Sequence, residues 1–87
     1  MAAPPPTRED LIHAVDLAIA GDWTGAHEIV QQDETDPVFC WVHAVLHKIE
    51  GDAANARYWY RRSGGQAYEA FADPKAELAA IKAVLTY

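Results

Sequence analysis

Apolar side chains recur at intervals of three and four residues along most of this chain, a pattern that predicts amphipathic helices. The first such run follows Thr7, which together with the acid three residues later resembles a capping box, and it ends at Gly21. Its apolar positions are Leu11, Ile12, Val15, Ala18 and Ile19. A second, shorter run follows Asp22 and ends near Gln32. The first third of the chain is therefore predicted to form two helices.

The later helices have clear start signals. Asp-Pro pairs at Asp36 and Asp73 each combine an acceptor for free N–H groups with a residue that needs no donor at the first helical position. The helix after Asp36 is predicted to run to about Glu50, and Asp52 begins another that ends near Ser63. No segment alternates apolar and polar residues as strands do. The sequence therefore predicts an all-α domain.

The composition indicates one globular domain. The chain has 87 residues, of which 51% are hydrophobic, enough for a single core over residues 7–87. Residues 1–6 contain three consecutive prolines and are predicted to be a disordered lead. The one cysteine excludes an internal disulfide, and neither a secretory signal nor a membrane-length apolar run is present. We therefore expect a cytoplasmic protein that does not enter membranes.

The charge distribution limits the classes of partner. Seven basic residues against thirteen acidic ones give a net charge of -6, which disfavours nucleic acid and anionic membranes because phosphate binding needs clustered cations. Most acids lie in residues 1–56, and most basic residues lie in residues 57–87. This asymmetry is typical of solvated helix faces, but it can also steer a partner or pair two copies of the chain.

A short turn motif occurs twice. Gly21-Asp22 is followed by Ala26, and Gly51-Asp52 is followed by Ala56, so that Gly-Asp-x-x-x-Ala repeats after thirty residues. In each copy the glycine ends one helix, the aspartate starts the next, and the small alanine permits close packing. The repeat predicts two consecutive helix pairs.

The second copy resembles the tetratricopeptide repeat, with Gly51 in the turn, Ala56 five residues on and Tyr60 four further. The first copy has Val30 where the aromatic residue would stand, and the offset is shorter than the usual thirty-four or so. The segment from His43 to Arg62 is also similar to small uncharacterised bacterial proteins of tetratricopeptide-like type. The resemblance implies two helical hairpins with a C-terminal capping helix, acting as a non-catalytic module that binds a protein, a peptide or a second copy of itself.

Two surfaces are candidates for such binding. In the tetratricopeptide register, one stripe of the third helix faces the groove, and it must be covered either by the last helix or by a second molecule. Its residues are Val38, Val42, Val45 and Ile49. The second surface combines tyrosine and arginine, as interface hot spots do, although its arginines could instead pair with Glu50 or Glu69. Its residues are Asn55, Tyr58, Arg61 and Arg62.

An alternative hypothesis concerns metal binding. Cys40, His43 and His47 form a Cys-x-x-His-x-x-x-His pattern on one helix, and these donors suit zinc. His27 or Glu28 could supply a fourth ligand. The repeat register favours packing against the partner helix for the same residues. No phosphate loop or acid–base pair is present, so we assign no catalytic residue and no cofactor, and we expect a protein that is not an enzyme.

Overall fold

The computed structural model describes residues 4–87, and over this range the chain forms five α-helices and one 3₁₀ turn, without strands. In order, the elements are α1 (Arg8–Ile19), α2 (Trp23–Val30), α3 (Pro37–Ile49), α4 (Ala53–Arg61), the 3₁₀ turn (Tyr68–Ala70) and α5 (Pro74–Thr86). The all-α prediction is confirmed. Half of the predicted disordered lead, residues 1–3, lies outside the described range. Within that range no helix combines the length and the apolar character needed to cross a membrane.

The predicted capping residues begin the helices. The Thr7 hydroxyl accepts from the Asp10 amide at 3.1 Å, and the Asp10 carboxylate accepts from the Thr7 amide at 2.8 Å, which completes a capping box at α1. Asp36 accepts two backbone N–H groups at the start of α3. Asp73 accepts one at the start of α5. These contacts are local, and this is why sequence reasoning could locate them.

The duplicated turn has nearly the same geometry in both copies. Gly21 and Gly51 have φ angles of 92° and 85°, a region that favours glycine, and each follows the last turn of a helix. The capping aspartates then have φ/ψ of -88°/79° at Asp22 and -94°/80° at Asp52. The sequence repeat therefore corresponds to a repeated backbone conformation between α1 and α2 and between α3 and α4.

Helix α3 lies at the centre of the molecule. It contacts the four other α-helices, and nine consecutive residues, Phe39–His47, are buried. Helix α1 packs against α2, and α5 packs across α1 and α3. A fully buried alanine lies on each of the helices α1 to α4, at Ala14, Ala26, Ala44 and Ala56. These small side chains allow close contact between neighbouring helices.

Helix α5 packs over the apolar stripe of α3. Leu78 and Ile81 of α5 are fully buried and belong to the same core as Val42 and Val45, which are also 0% exposed. The sequence allowed two possibilities, that the last helix or a second molecule covers this stripe. In the structure the last helix covers it. Val42 and Val45 are therefore unavailable to a partner in this structure, which corrects their assignment as binding residues.

Candidate metal centre

Three imidazole rings meet where α2 packs against α3. His43 and His47 are four residues apart on α3 and lie on one face of the helix, one turn from each other. His27 extends from α2, which contacts that face. One ring nitrogen from each of the three residues lies within 4.8 Å of the other two. The packing of two helices thus concentrates three nitrogen donors at one point.

The three histidine rings are nearly as close together as the ligands of one metal ion would be. Their centroids are 4.9 Å apart for His27 and His43, 5.4 Å for His27 and His47, and 5.0 Å for His43 and His47. A tetrahedral ion with Zn–N bonds of about 2.0 to 2.1 Å separates its nitrogen ligands by about 3.3 Å. Each nitrogen pair, within 4.8 Å here, therefore has to close by at most about 1.5 Å for all three to bind one ion.

Tryptophan rings orient two of the histidines. His27 stacks on Trp23 with centroids 4.6 Å apart, and Trp23 is itself anchored because its Nε1–H donates to the Leu46 carbonyl at 2.6 Å. His43 stacks on Trp59 at 3.9 Å with an angle of 11° between the ring planes. These contacts restrict ring rotation at both positions before any ion binds.

A carboxylate orients the third ring. His47 Nδ1 lies 2.6 Å from Glu50 Oε1, while the His47 ring is almost completely buried. An ionised carboxylate can only accept a hydrogen bond, so Nδ1 carries the proton and donates it. In the neutral ring, the lone pair of His47 is then on Nε2.

Burial favours the neutral form of two of the rings, His43 and His27. It lowers the pKa of His43 to about 3, and repulsion from His27 and His47 lowers it further toward that value. Burial also lowers the pKa of His27, with a smaller contribution from His47. Metal ions bind the neutral imidazole, so at pH 7 the ion has no proton to displace from these two rings.

One nitrogen in the cluster lacks a hydrogen bond. His43 is 3% exposed, and its Nδ1 has no partner among the residues that the structure describes. An unsatisfied buried polar atom of this kind costs about 1 to 3 kcal/mol. Such a group calls for an explanation, and one recognised explanation is the binding of an ion.

Cys40 does not join this cluster, which corrects part of the predicted ligand set. Its thiol is fully buried and donates to the Glu34 carbonyl at 3.5 Å. His47 lies seven positions further along the helix, a rise of about 10.5 Å, and the Cys40 thiol is not among the donor atoms that converge with its ring. His27, which the sequence suggested as a fourth ligand, takes its place, and the exposed Glu28 does not belong to the cluster.

The second predicted surface is only partly assembled. Tyr58 is 44% exposed, and the Arg62 guanidinium lies 5.6 Å from the centre of its ring. Arg62 also donates to the Glu34 carbonyl at 3.1 Å, so it is tied to the loop between α2 and α3. Arg61 is exposed, whereas Asn55 is half-buried near the start of α4.

The two ends of the apolar stripe remain accessible to different degrees. Val38 is half-buried, and Ile49 is 44% exposed. They lie at opposite ends of α3, so they form no continuous surface once Val42 and Val45 are covered.

Comparison of the chain with protein-family models, with curated proteins and with solved structures finds no match.

Proposed function

We propose that this protein binds one divalent transition-metal ion, of the zinc class, through His27, His43 and His47. The observation that carries the proposal is the convergence of three imidazole nitrogens from two helices within 4.8 Å. Imidazole is a good ligand for zinc, copper and nickel, whereas magnesium and calcium prefer oxygen. The expected ligand is therefore an ion of the first group.

The ion would connect the two repeat units. His27 belongs to the first helix pair, and His43 and His47 belong to the second. A ligand that binds only the folded chain stabilises it, so binding strengthens the contact between α2 and α3. Three protein ligands leave a fourth position for water or a small external ligand.

Metal titration tests this proposal directly. Tag-free protein is stripped with a chelator, and zinc is added in competition with a chromogenic chelator of known affinity. We expect one ion per chain, and we expect His27→Gln and His43→Gln each to weaken binding strongly. His13→Gln is the matched control, because His13 is an exposed histidine of α1. Zinc binding that was equal in all four proteins would refute the proposal.

A second candidate function is self-association as a non-catalytic interaction module. The observation in its favour is the exposed Tyr58, with Arg62 beside it, on the basic half of a chain whose other half is acidic. Opposite charges on the two halves suit head-to-tail pairing of two copies.

Sedimentation at low and high salt tests the pairing. Association at low salt that is lost in Tyr58→Ala and Arg62→Ala supports it, since exposed charge pairs are screened by salt. A protein that stays monomeric at high concentration and low salt excludes it. The control is Arg8→Ala, which removes an exposed cation from the acidic half.

A further inference from the structure

Glu50 lies where a carboxylate is electrostatically disfavoured. It is the C-cap residue of α3, and the C-terminal end of a helix carries partial negative charge. A negative side chain there opposes the helix dipole unless another contact offsets the repulsion. The contact present is the short hydrogen bond from His47 Nδ1. This placement indicates that the role of Glu50 concerns the histidine rather than the end of the helix.

The neighbouring acid does not share this role. Asp52 is also close to His47 and Glu50, but its carboxylate accepts from the Asn55 amide at 3.1 Å and caps α4. Glu50 has its closest polar contact with the His47 ring. Glu50 is therefore the acid that is free to act on this ring.

The bond to Glu50 decides which nitrogen of His47 faces an ion. In the neutral ring with its proton held on Nδ1, the other nitrogen, Nε2, keeps its lone pair. The same bond prevents the ring from turning over, because a turned ring would direct the unprotonated nitrogen at the carboxylate. A ligating histidine whose second nitrogen donates to a carboxylate is also a more basic donor.

The charge of Glu50 extends to the rest of the cluster. Its Coulomb interaction acts on His27 in the direction that favours positive charge there, against the larger effect of burial. A divalent ion held by three neutral rings would have no compensating charge from its own ligands. The carboxylate of Glu50, 39% exposed at the edge of the site, supplies one negative charge beside it.

We infer that Glu50 is the positioning residue of the metal site: it holds His47 in the tautomer that presents Nε2 to the ion. This inference rests on the proposed function, because it assigns a role in the same site. Removal of a carboxylate in this relation to a ligand typically weakens metal binding about 10- to 100-fold.

The experiment compares three variants. Glu50→Ala removes the acceptor, and Glu50→Gln keeps an acceptor oxygen at similar size without the charge. Glu28→Gln is the matched control, because Glu28 is an exposed acid directly after His27 in the chain. We expect zinc affinity to fall about 10- to 100-fold in Glu50→Ala, to fall less in Glu50→Gln, and to be unchanged in Glu28→Gln.

A second readout observes the ring itself. Long-range ¹H–¹⁵N NMR distinguishes the two tautomers of His47 in the metal-free protein and identifies the coordinating nitrogen after zinc is added. We expect the Nδ1–H tautomer in the wild type and in Glu50→Gln, a mixture in Glu50→Ala, and coordination through Nε2. A purely structural role of Glu50 would change stability without changing the tautomer.

The outcomes separate the two proposals. If zinc binds but Glu50→Ala retains wild-type affinity, or if His47 coordinates through Nδ1, the role of Glu50 is wrong while the metal site stands. If the wild type binds no zinc, both proposals are wrong, even where the tautomer of the metal-free protein agrees with expectation.

Discussion

Lys48 Nζ lies 2.8 Å from Glu77 Oε1, in an ion pair whose side chains are only 7% and 1% exposed. The other carboxylate oxygen of Glu77 accepts from Trp41 Nε1 at 2.9 Å and from the Tyr60 hydroxyl at 2.6 Å. Lys48 also donates to the Phe71 carbonyl. One buried carboxylate therefore joins α5 to α3 and α4, and it anchors α5 against α3.

Loss of the Glu77 carboxylate should be strongly destabilising. Glu77→Ala leaves Lys48 buried without its partner, and removal of one member of a buried ion pair costs about 3 to 5 kcal/mol. Lys82→Ala is the control, since Lys82 and Asp16 form an ion pair of 2.7 Å with side chains 44% and 46% exposed. Such an exposed pair contributes about 0 to 1 kcal/mol. Urea denaturation measures both, and equal costs would contradict the structural role of Glu77.

The stability of the protein should fall at high pH, because ionisation of Tyr60 opposes folding. Burial raises the pKa of its phenol, and the hydrogen bond to Glu77 raises it further. The unfolded chain releases this proton near pH 10, whereas the folded chain retains it. The stabilisation that protonated Tyr60 provides is therefore fully present below about pH 10. As the pH rises further, the free energy of unfolding falls by up to about 1.4 kcal/mol per pH unit.

The variant Tyr60→Phe isolates this effect from the titration of lysines. It removes the ionisable group, so its stability should fall less steeply than that of the wild type between about pH 9.5 and 11. Urea midpoints across this range provide the comparison. Parallel curves for the two proteins would show that Tyr60 ionises equally easily in the folded and unfolded chains.

The helices could be predicted because their signals are local. An aspartate that caps the amides two or three residues ahead, as Asp36 does, needs no knowledge of the fold. The environment of Glu77 could not be predicted in this way. Its partners Trp41, Lys48 and Tyr60 are 36, 29 and 17 residues away in the chain, and only the packing of α5 brings them together.

The candidate site was predictable to the same limited extent. His43 and His47 share a helix face through their spacing alone, and their rings lie 5.0 Å apart in the structure. Cys40 also matched a spacing pattern, but its thiol donates to the Glu34 carbonyl and does not join the histidine nitrogens. His27 depends on how α2 lies against α3, and the orphaned nitrogen of His43 depends on the packing around it. Neither is present in the sequence pattern.

His43 should lower the stability of the metal-free protein. Its buried Nδ1 has no hydrogen-bond partner in the described part of the chain, and an apolar ring of similar size removes that penalty. His43→Phe keeps the stacking on Trp59 and should stabilise the metal-free protein by about 1 to 3 kcal/mol. The same variant should lose zinc binding. His47→Phe is the comparison, since its Nδ1 is bonded to Glu50 and its replacement should give no such gain.

Urea denaturation in buffer that contains a chelator measures the stabilities of the metal-free His43→Phe and His47→Phe proteins. A more stable His43→Phe protein that no longer binds zinc would indicate that the chain keeps this histidine for a ligand at some cost in stability. A clearly less stable His43→Phe protein would instead assign the ring to packing.

Zinc itself should stabilise the wild-type fold. A ligand present at a hundred times its dissociation constant raises the free energy of unfolding by about 2.7 kcal/mol, because it binds the folded chain and not the unfolded one. Trp23 and Trp59 stack on two of the three rings, so paramagnetic Cu²⁺ at the same site should quench their fluorescence. Thermal unfolding with and without zinc, and copper titration of the fluorescence, measure the two effects. His27→Gln should strongly reduce both at the same metal concentration, whereas His13→Gln, an exposed position on α1, should change neither. A zinc-dependent rise in melting temperature that was undiminished in His27→Gln would place the ion elsewhere and exclude the interface of α2 and α3 as the site.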